Sequence, residues 1–179
     1  MNTPPTLTTP RLILRPHRAE DFEAYAAMWA EPAVVRFIGG VAFTREAAWS
    51  RFLRHPGLWA FLGFGAFAVE ERASGAFIGE AGFHDFRRAL TPSIEGTMEA
   101  GWVFSGAAQG KGYAREAMAA ALGWADAHRA GTRITCMIQP SHAASLHVAG
   151  TLGFVPLADG LYNGQPMALL ERRPAAGAA

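Results

Sequence analysis

Hydrophobic positions along the chain change period several times, and each change marks an element. Thr9-Pro10-Arg11-Leu12-Ile13-Leu14-Arg15-Pro16 alternates and is closed by proline, the pattern of a strand. Between Ala19 and Ala30, Phe22, Tyr25, Ala26 and Trp29 recur at helical spacing, with Glu20 and Asp21 in the first turn, where the helix dipole favours acids. Thr44 opens a second helix as its N-cap, with Ala47, Ala48 and Phe52 as the apolar stripe. Two strands follow, over about 65–71 and 76–86, with Arg72-Ala73-Ser74-Gly75 as the hairpin turn between them. Residues 87–96, containing Pro92 and Gly96, read as a loop. The stretch 97–104 is apolar on both faces toward its end, as a central strand is.

Residues 105–112 are glycine-rich. Tyr113 to Arg129 is the clearest helix, with Ala114, Ala117, Met118, Ala121, Leu122 and Ala125 along one face and Gly131 as the stop. Small residues on that face let a helix lie close on a sheet. A strand over 132–138, a helix over 141–152 ended by Gly153, a strand from Phe154, a turn at Leu161-Tyr162-Asn163-Gly164 and a strand over 167–171 complete the pattern. The order is strand, two helices, three strands, helix, strand, helix, two strands. It predicts a single α/β domain over 1–179 with a mixed sheet and a core over about 9–172. The tail over 174–179 is small and featureless and is expected to be disordered.

Composition narrows the function. Half the residues are hydrophobic and 17% are charged, which is globular. Sixteen basic residues against fifteen acidic ones leave a net charge of +1, and no run interleaves basic with aromatic residues, so nucleic acid is not an expected partner. The first sixteen residues hold no apolar run long enough for a signal peptide or a membrane span. Cys136 is the only cysteine, so no intrachain disulfide can form, and a cytoplasmic location is expected. No His, Cys or acidic cluster has metal-ligand spacing, so no metal is expected. Lys111 is the only lysine.

The informative segment is Glu99-Ala-Gly-Trp-Val-Phe-Ser-Gly-Ala-Ala-Gln-Gly-Lys-Gly-Tyr-Ala-Arg. A central strand runs into glycines, and the glycines open a helix. Such a junction leaves the first helical N–H groups unpaired at the positive end of the dipole, and glycine lets a phosphate reach the backbone. A nucleoside-triphosphate loop would need glycine where Ser105 stands and a hydroxyl where Gly112 stands. A dinucleotide fingerprint starting at Gly110 and Gly112 would need glycine where Arg115 stands.

Gln109-Gly110-Lys111-Gly112-Tyr113-Ala114 instead resembles the Q/R-x-x-G-x-G/A pyrophosphate loop of the GCN5-related N-acetyltransferases. TPRLILRP, IGEAGFHDF and the helix ending Leu152-Gly153-Phe154 resemble the branch of that superfamily that acetylates ribosomal-protein N-termini, the RimJ/RimL-like branch. The resemblance runs from about Thr9 to Glu171. It implies a mixed, mostly antiparallel sheet of about seven strands, splayed in the middle and flanked by about four helices. Acetyl-coenzyme A would lie between the strand ending at Phe104 and the strand over 132–138. Its pyrophosphate would meet the loop from Gln109 through Gly110, Lys111, Gly112, Tyr113 and Ala114 to Arg115. Its pantetheine arm would pair with the backbone of Trp102, Val103 and Phe104, where an N–H would also hold the oxyanion. His142 and Ser145 stand where the superfamily often has N-x-x-S against the pantetheine arm. Ala149 replaces the tyrosine that often protonates the leaving thiolate, leaving Ser145 or a water to serve. The acceptor pocket would be made by about 30–44 and 159–166.

A primary amine must lose a proton before it attacks a thioester. Glu99 is the candidate general base, acting through water, and Glu80 is its alternate; an ordinary strand-end glutamate is the competing reading of Glu99. Ser145 is either acid and pantetheine contact or a surface hydroxyl. His142 either touches the cofactor or caps its helix. His84 and Asp85 are adjacent on a strand and so face opposite ways, which favours structural roles. Trp29, Phe37 and Phe86 either wall the acceptor site or belong to the core. The expected activity is transfer of acetyl from acetyl-coenzyme A to a protein N-terminal α-amine or a small-molecule amine by a monomer or homodimer. The competing class is a non-catalytic module that binds or senses acyl-coenzyme A.

Overall fold

The computed structural model describes residues 4–172; the tail expected to be disordered lies outside the described residues. The chain runs through strands β1 (Leu7–Thr8) and β2 (Leu12–Arg15), then four helices, α1 (Phe22–Ala30), α2 (Pro32–Val35), α3 (Arg45–Phe52) and α4 (Arg54–Leu62). β3 (Ala66–Glu71), β4 (Phe77–His84), β5 (Leu90–Thr91) and β6 (Met98–Phe104) follow. The second half holds α5 (Tyr113–His128), β7 (Ile134–Ile138), α6 (Ala143–Thr151), β8 (Phe154–Tyr162) and β9 (Gln165–Arg172). All strands join one sheet in the order β1-β2-β3-β4-β6-β7-β9-β8-β5, antiparallel throughout except between β6 and β7.

Two apolar layers cover the sheet. In one, Ala117, Met118, Ala121 and Ala125 of α5 pack against Leu12, Leu14, Phe67, Phe83 and Met98. The alanines bring the helix backbone close, as their spacing predicts. In the other, α1–α3 form a separate cluster of Phe22, Tyr25, Met28, Trp29, Val34, Val35, Ala48 and Phe52. Among the described residues no helix is long and apolar enough to cross a membrane.

The fold class agrees with the sequence, and the counts do not. Among the described residues nine strands stand where about seven were expected, because β1 and β5 are two-residue edge strands; β5 lies inside the expected loop over 87–96 and pairs with β8. Among the same residues six α-helices stand where about four were expected. α2 is one short turn led by Pro32, and α4 carries Pro56-Gly57, which reads as a breaker in sequence. Pro56 is third in that helix, where its missing N–H has no intrahelical acceptor to lose. Ala47 is exposed rather than part of the α3 stripe, though Thr44 does cap α3, its hydroxyl accepting from the Ala47 amide at 3.1 Å. The last hairpin turns on Asn163-Gly164, one residue later than expected, with φ of +49° and +74°.

A buried charge triad fixes the first helix to the sheet. Arg15 on β2 donates to both Asp21 oxygens, at 2.7 and 2.8 Å, and its Nε donates to Glu70 on β3 at 2.7 Å. Burial pushes the Asp21 carboxyl up, but the Arg15 guanidinium and the Arg18 amide outweigh it and hold the group below its ordinary range. Arg15→Met should therefore destabilise the fold by about 3–5 kcal/mol, since it strands two carboxylates in a buried place. Urea unfolding of the variant measures this; a loss under about 1 kcal/mol would contradict it. The part due to Asp21 is present above its unfolded value of about 3.9 and fades as pH falls through the folded one, so the gap between variant and wild type narrows in acid.

Candidate active site

β6 and β7 pair at only two positions, Met98 with Ile134 and Glu99 with Thr135. Beyond them the strands part. β6 stays on β4 as far as Phe104 opposite Gly79, and β7 stays on β9 as far as Ile138 opposite Ala168. Strand alternation settles which groups face the gap. The Met98 amide donates toward β7, to Arg133 O at 2.9 Å, and the Ser105 amide donates toward β4, to Ile78 O at 3.0 Å. The amides of Trp102 and Phe104 therefore point into the gap, whereas that of Ala100 faces β7 at the last paired position, Glu99 with Thr135. The Val103 amide faces β4, so the expected contact there narrows to its side chain, which lines the cleft. The gap opens into a cleft of about 370 Å³. Phe37, Ile38 and Phe43 line it from the segment after α1, and Tyr162, Asn163 and Gln165 from the late turn, the two segments expected to form the acceptor pocket.

At the far end of β6 lies the glycine loop. Gly110 and Gly112 have φ of +74° and +77°, a conformation that side chains resist. The amides of Gly110, Lys111, Gly112, Tyr113, Ala114 and Arg115 have no acceptor among the described residues. They converge on the N-terminus of the 16-residue α5 and make a place for an anion. Side chains brace the loop rather than fill it. The Gln109 amide group donates to Phe104 O at 3.0 Å, tying the loop to the strand. Arg11 donates to Lys111 O at 2.9 Å and to Glu116 at 2.6 Å, and the Thr9 hydroxyl donates to the same carboxylate at 2.6 Å. Tyr113 is held by Glu71 at 2.6 Å. The side chains of Lys111 and Arg115 are exposed.

Glu99 sits where the strands part and is 5% exposed. Its carboxylate accepts from Arg88 Nε at 2.9 and 3.1 Å and lies 3.1 Å from His84 Nε2. Burial pushes this carboxyl up, but His84 and Arg88 outweigh it and bring it down to about 2. Arg88 also donates to the Tyr162 hydroxyl at 3.2 Å. Asp85 faces the other way, as alternation requires, accepting from the amides of Arg87 and Gly96. His84, in contrast, lines the cleft. Its role was hidden because its partner lies on another strand; the β4–β6 register, with His84 opposite Glu99, is what reveals it.

Ser145 and His142 also line the cleft, at the start of α6. His142 stands at the N-cap position of α6 but makes no side-chain cap bond; its ring stacks on Phe37 at 4.1 Å, and its Nε2 lies 3.4 Å from Ser145 Oγ. Burial pushes the His142 imidazole down, keeping it neutral. Ala149 is fully buried. Trp29 and Phe37 line the cleft, whereas Phe86 stacks on His84 at 4.4 Å. Glu80, the alternate base, is buried away from the cleft between Arg51, His17 and His55. Glu80, His17 and His55 are a possible ligand group that sequence spacing did not show. The two imidazoles stack in parallel, 3.8 Å between centroids and 5° between planes, so their lone pairs do not converge on one point. Arg51 already neutralises the carboxylate.

An open strand edge leading into an amide-lined anion site is the arrangement that the resemblance to the acetyltransferases implies. A family model for the acetyltransferase (GNAT) domain matches residues 11–155, and the chain belongs to that family. It is 30% identical over 147 residues to the uncharacterized N-acetyltransferase YnaD of Bacillus subtilis, covering 82% of this chain and 81% of that one. A Bordetella pertussis protein assigned to the GnaT acetyltransferase family superposes with a TM-score of 0.84 at 33% identity, over 95% of this chain and all of that one. RimL, a ribosomal L7/L12 α-N-protein acetyltransferase solved with coenzyme A, shares the fold, with a TM-score of 0.74 at 16% identity over 97% of this chain and all of that one.

The loop geometry makes backbone amides, and not the lysine, the anion ligands. Lys111→Met should weaken coenzyme A binding by less than about fivefold, as for an exposed charge. Gly112→Val should weaken it about a hundredfold or more, through the lost φ and two or more lost charge-assisted bonds. Calorimetric titration of folded variants decides. The opposite ranking would show that the lysine, not the backbone, holds the phosphates.

Proposed function

We propose that the chain is an acetyl-coenzyme A-dependent N-acetyltransferase that passes acetyl directly to a primary amine in a ternary complex. The observation that carries this reading is the continuity of the open β6 edge with the amide-lined loop. The pantetheine arm fits along Trp102 to Phe104 as an added strand, and the pyrophosphate fits over residues 110–115. The Trp102 amide is aimed to hold the acetyl oxygen as it becomes negative. Burial pushes the Cys136 thiol up, which keeps it protonated and speaks against an acetyl-cysteine route. With no cysteine available for a disulfide partner, the chain suits the cytoplasm.

The reaction needs one proton removed first. An ammonium gives up a proton near Glu99, and the neutral nitrogen attacks the thioester carbon. The tetrahedral intermediate then expels the thiolate as the C–S bond breaks. Ser145 is the hydroxyl placed to protonate that sulfur. A protein α-amine, with a pKa of about 8, is roughly a tenth neutral at pH 7, whereas a lysine at about 10.4 is neutral in well under a thousandth of molecules. An α-amine therefore asks least of the base, and a peptide N-terminus or a small α-amine is the favoured acceptor class.

Saturating acetyl-coenzyme A should raise the melting temperature by several degrees, the equivalent of about 2.7 kcal/mol at a hundred times its dissociation constant. Scanning calorimetry reads this, and no shift at millimolar ligand would remove the reading. Given turnover on a panel of peptide and small-molecule amines, Glu99→Gln should lower kcat by ~100-fold at neutral pH with coenzyme affinity unchanged. A fully active Glu99→Gln enzyme would assign Glu99 to structure alone.

A further inference from the structure

His84 is held by more than one constraint. It faces Glu99 across the β4–β6 register, with Nε2 3.1 Å from Oε1. Its ring lies over Gly101, where a Cβ would come within 2.8 Å of the ring carbon Cε1, so any other residue would push the ring away. Phe86 stacks on it, with 21° between planes. With Nε2 turned toward a carboxylate, the neutral ring carries its proton there and its lone pair on Nδ1. Nδ1 has no hydrogen-bond partner among the described residues, and the ring lines the cleft.

Glu99 is poorly suited to take a proton itself. Both of its oxygens are engaged by Arg88, and one also lies against His84. A carboxyl held at about 2 is some six units too weak to accept readily from an α-ammonium at about 8. Imidazole is the side chain whose ordinary titration range best matches proton transfer at neutral pH. The other groups facing the pair are already committed. Arg88 bridges Glu99 to the Tyr162 hydroxyl, Asp85 points to the opposite side, and the Cys136 thiol on β7 stays protonated.

We infer that His84 is the general base of the proposed acetyl transfer, accepting the amine proton at Nδ1 directly or through one water, and that Glu99 is the positioning residue that orients the ring and offsets its charge. This rests on the acetyl-transfer reading above. The ammonium R–NH3+ gives one proton to Nδ1, and the imidazolium that forms sits against the Glu99 carboxylate. The neutral nitrogen forms the new C–N bond, and the C–S bond breaks. The nitrogen loses its second proton as the thiolate becomes a thiol, and His84 returns its own to solvent. The sum is an acetamide, coenzyme A and one released proton.

The test uses the full chain, acetyl-coenzyme A and an amine that wild type turns over, with His84→Gln, His84→Ala and Glu99→Gln compared for coenzyme affinity and kcat/KM against pH. His84→Gln should keep coenzyme affinity and lose ~100-fold in kcat/KM at neutral pH. Its rate should then climb about tenfold per pH unit toward the amine's own pKa, where no base is needed. Added millimolar imidazole should restore His84→Ala at least tenfold and leave Glu99→Gln unmoved, a response that a merely structural histidine would not show. Two results overturn the inference: His84 variants with wild-type rates and pH profile, or a His84→Ala deficit that is flat with pH and indifferent to imidazole. If wild type binds coenzyme A yet acetylates no amine, the acetyl-transfer reading fails and this one with it.

Discussion

A strand edge that lies inside a sheet and pairs with nothing leaves donors and acceptors that water or a ligand must satisfy, and the parting of β6 from β7 produces two such edges. The gap is held open by what lies outside it. β4 keeps β6 in register from Glu99 to Phe104, and the β8–β9 hairpin keeps β7, so neither strand can swing across. The two pairs at Met98 and Glu99 act as the hinge pin of the V. Every feature of the site is measured from there. Glu99 sits at the apex, the free amides of Trp102 and Phe104 run outward from it, and the glycine loop receives the end of the strand. The far wall of the cleft is made by segments remote in sequence, after α1 and between β8 and β9.

Much of this was legible in the sequence where the signal is local. Helix α5 shows itself through its alanine stripe, the loop through two glycines with positive φ, and α3 through a threonine cap. What failed was either short or long-range. α4 hides behind Pro56-Gly57, because proline in a first turn looks the same in sequence as proline that ends a helix. β5 is two residues whose only reason to be a strand is Tyr162 and Leu161, some seventy positions later.

The site divides in the same way. Alternation separated His84 from Asp85 correctly, but it could not supply the partner of His84, which depends on the register of β4 against β6. The surroundings of Glu80 are a fold-level fact too: His17 and His55 come from before α1 and from α4, and only packing stacks them. His142 does stand at the N-cap of α6, but its position in sequence does not tell where the ring goes. The ring finds Phe37 across the cleft.

The cations that hold the structure are all arginines: Arg15 on Asp21, Arg88 on Glu99, Arg11 on Glu116, Arg172 on Asp126. Guanidinium never sheds its proton in the range where proteins live, so it is no nucleophile toward a thioester. For the proposed transfer of activated acetyl groups to amines, this matters. Lysine in the same positions would be a slow self-inflicted substrate, and each acylation would erase a charge that pairs with a carboxylate. The single lysine, Lys111, stands exposed on a loop whose grip comes from its backbone. The fold is thus built from the one cation that its own chemistry cannot erode.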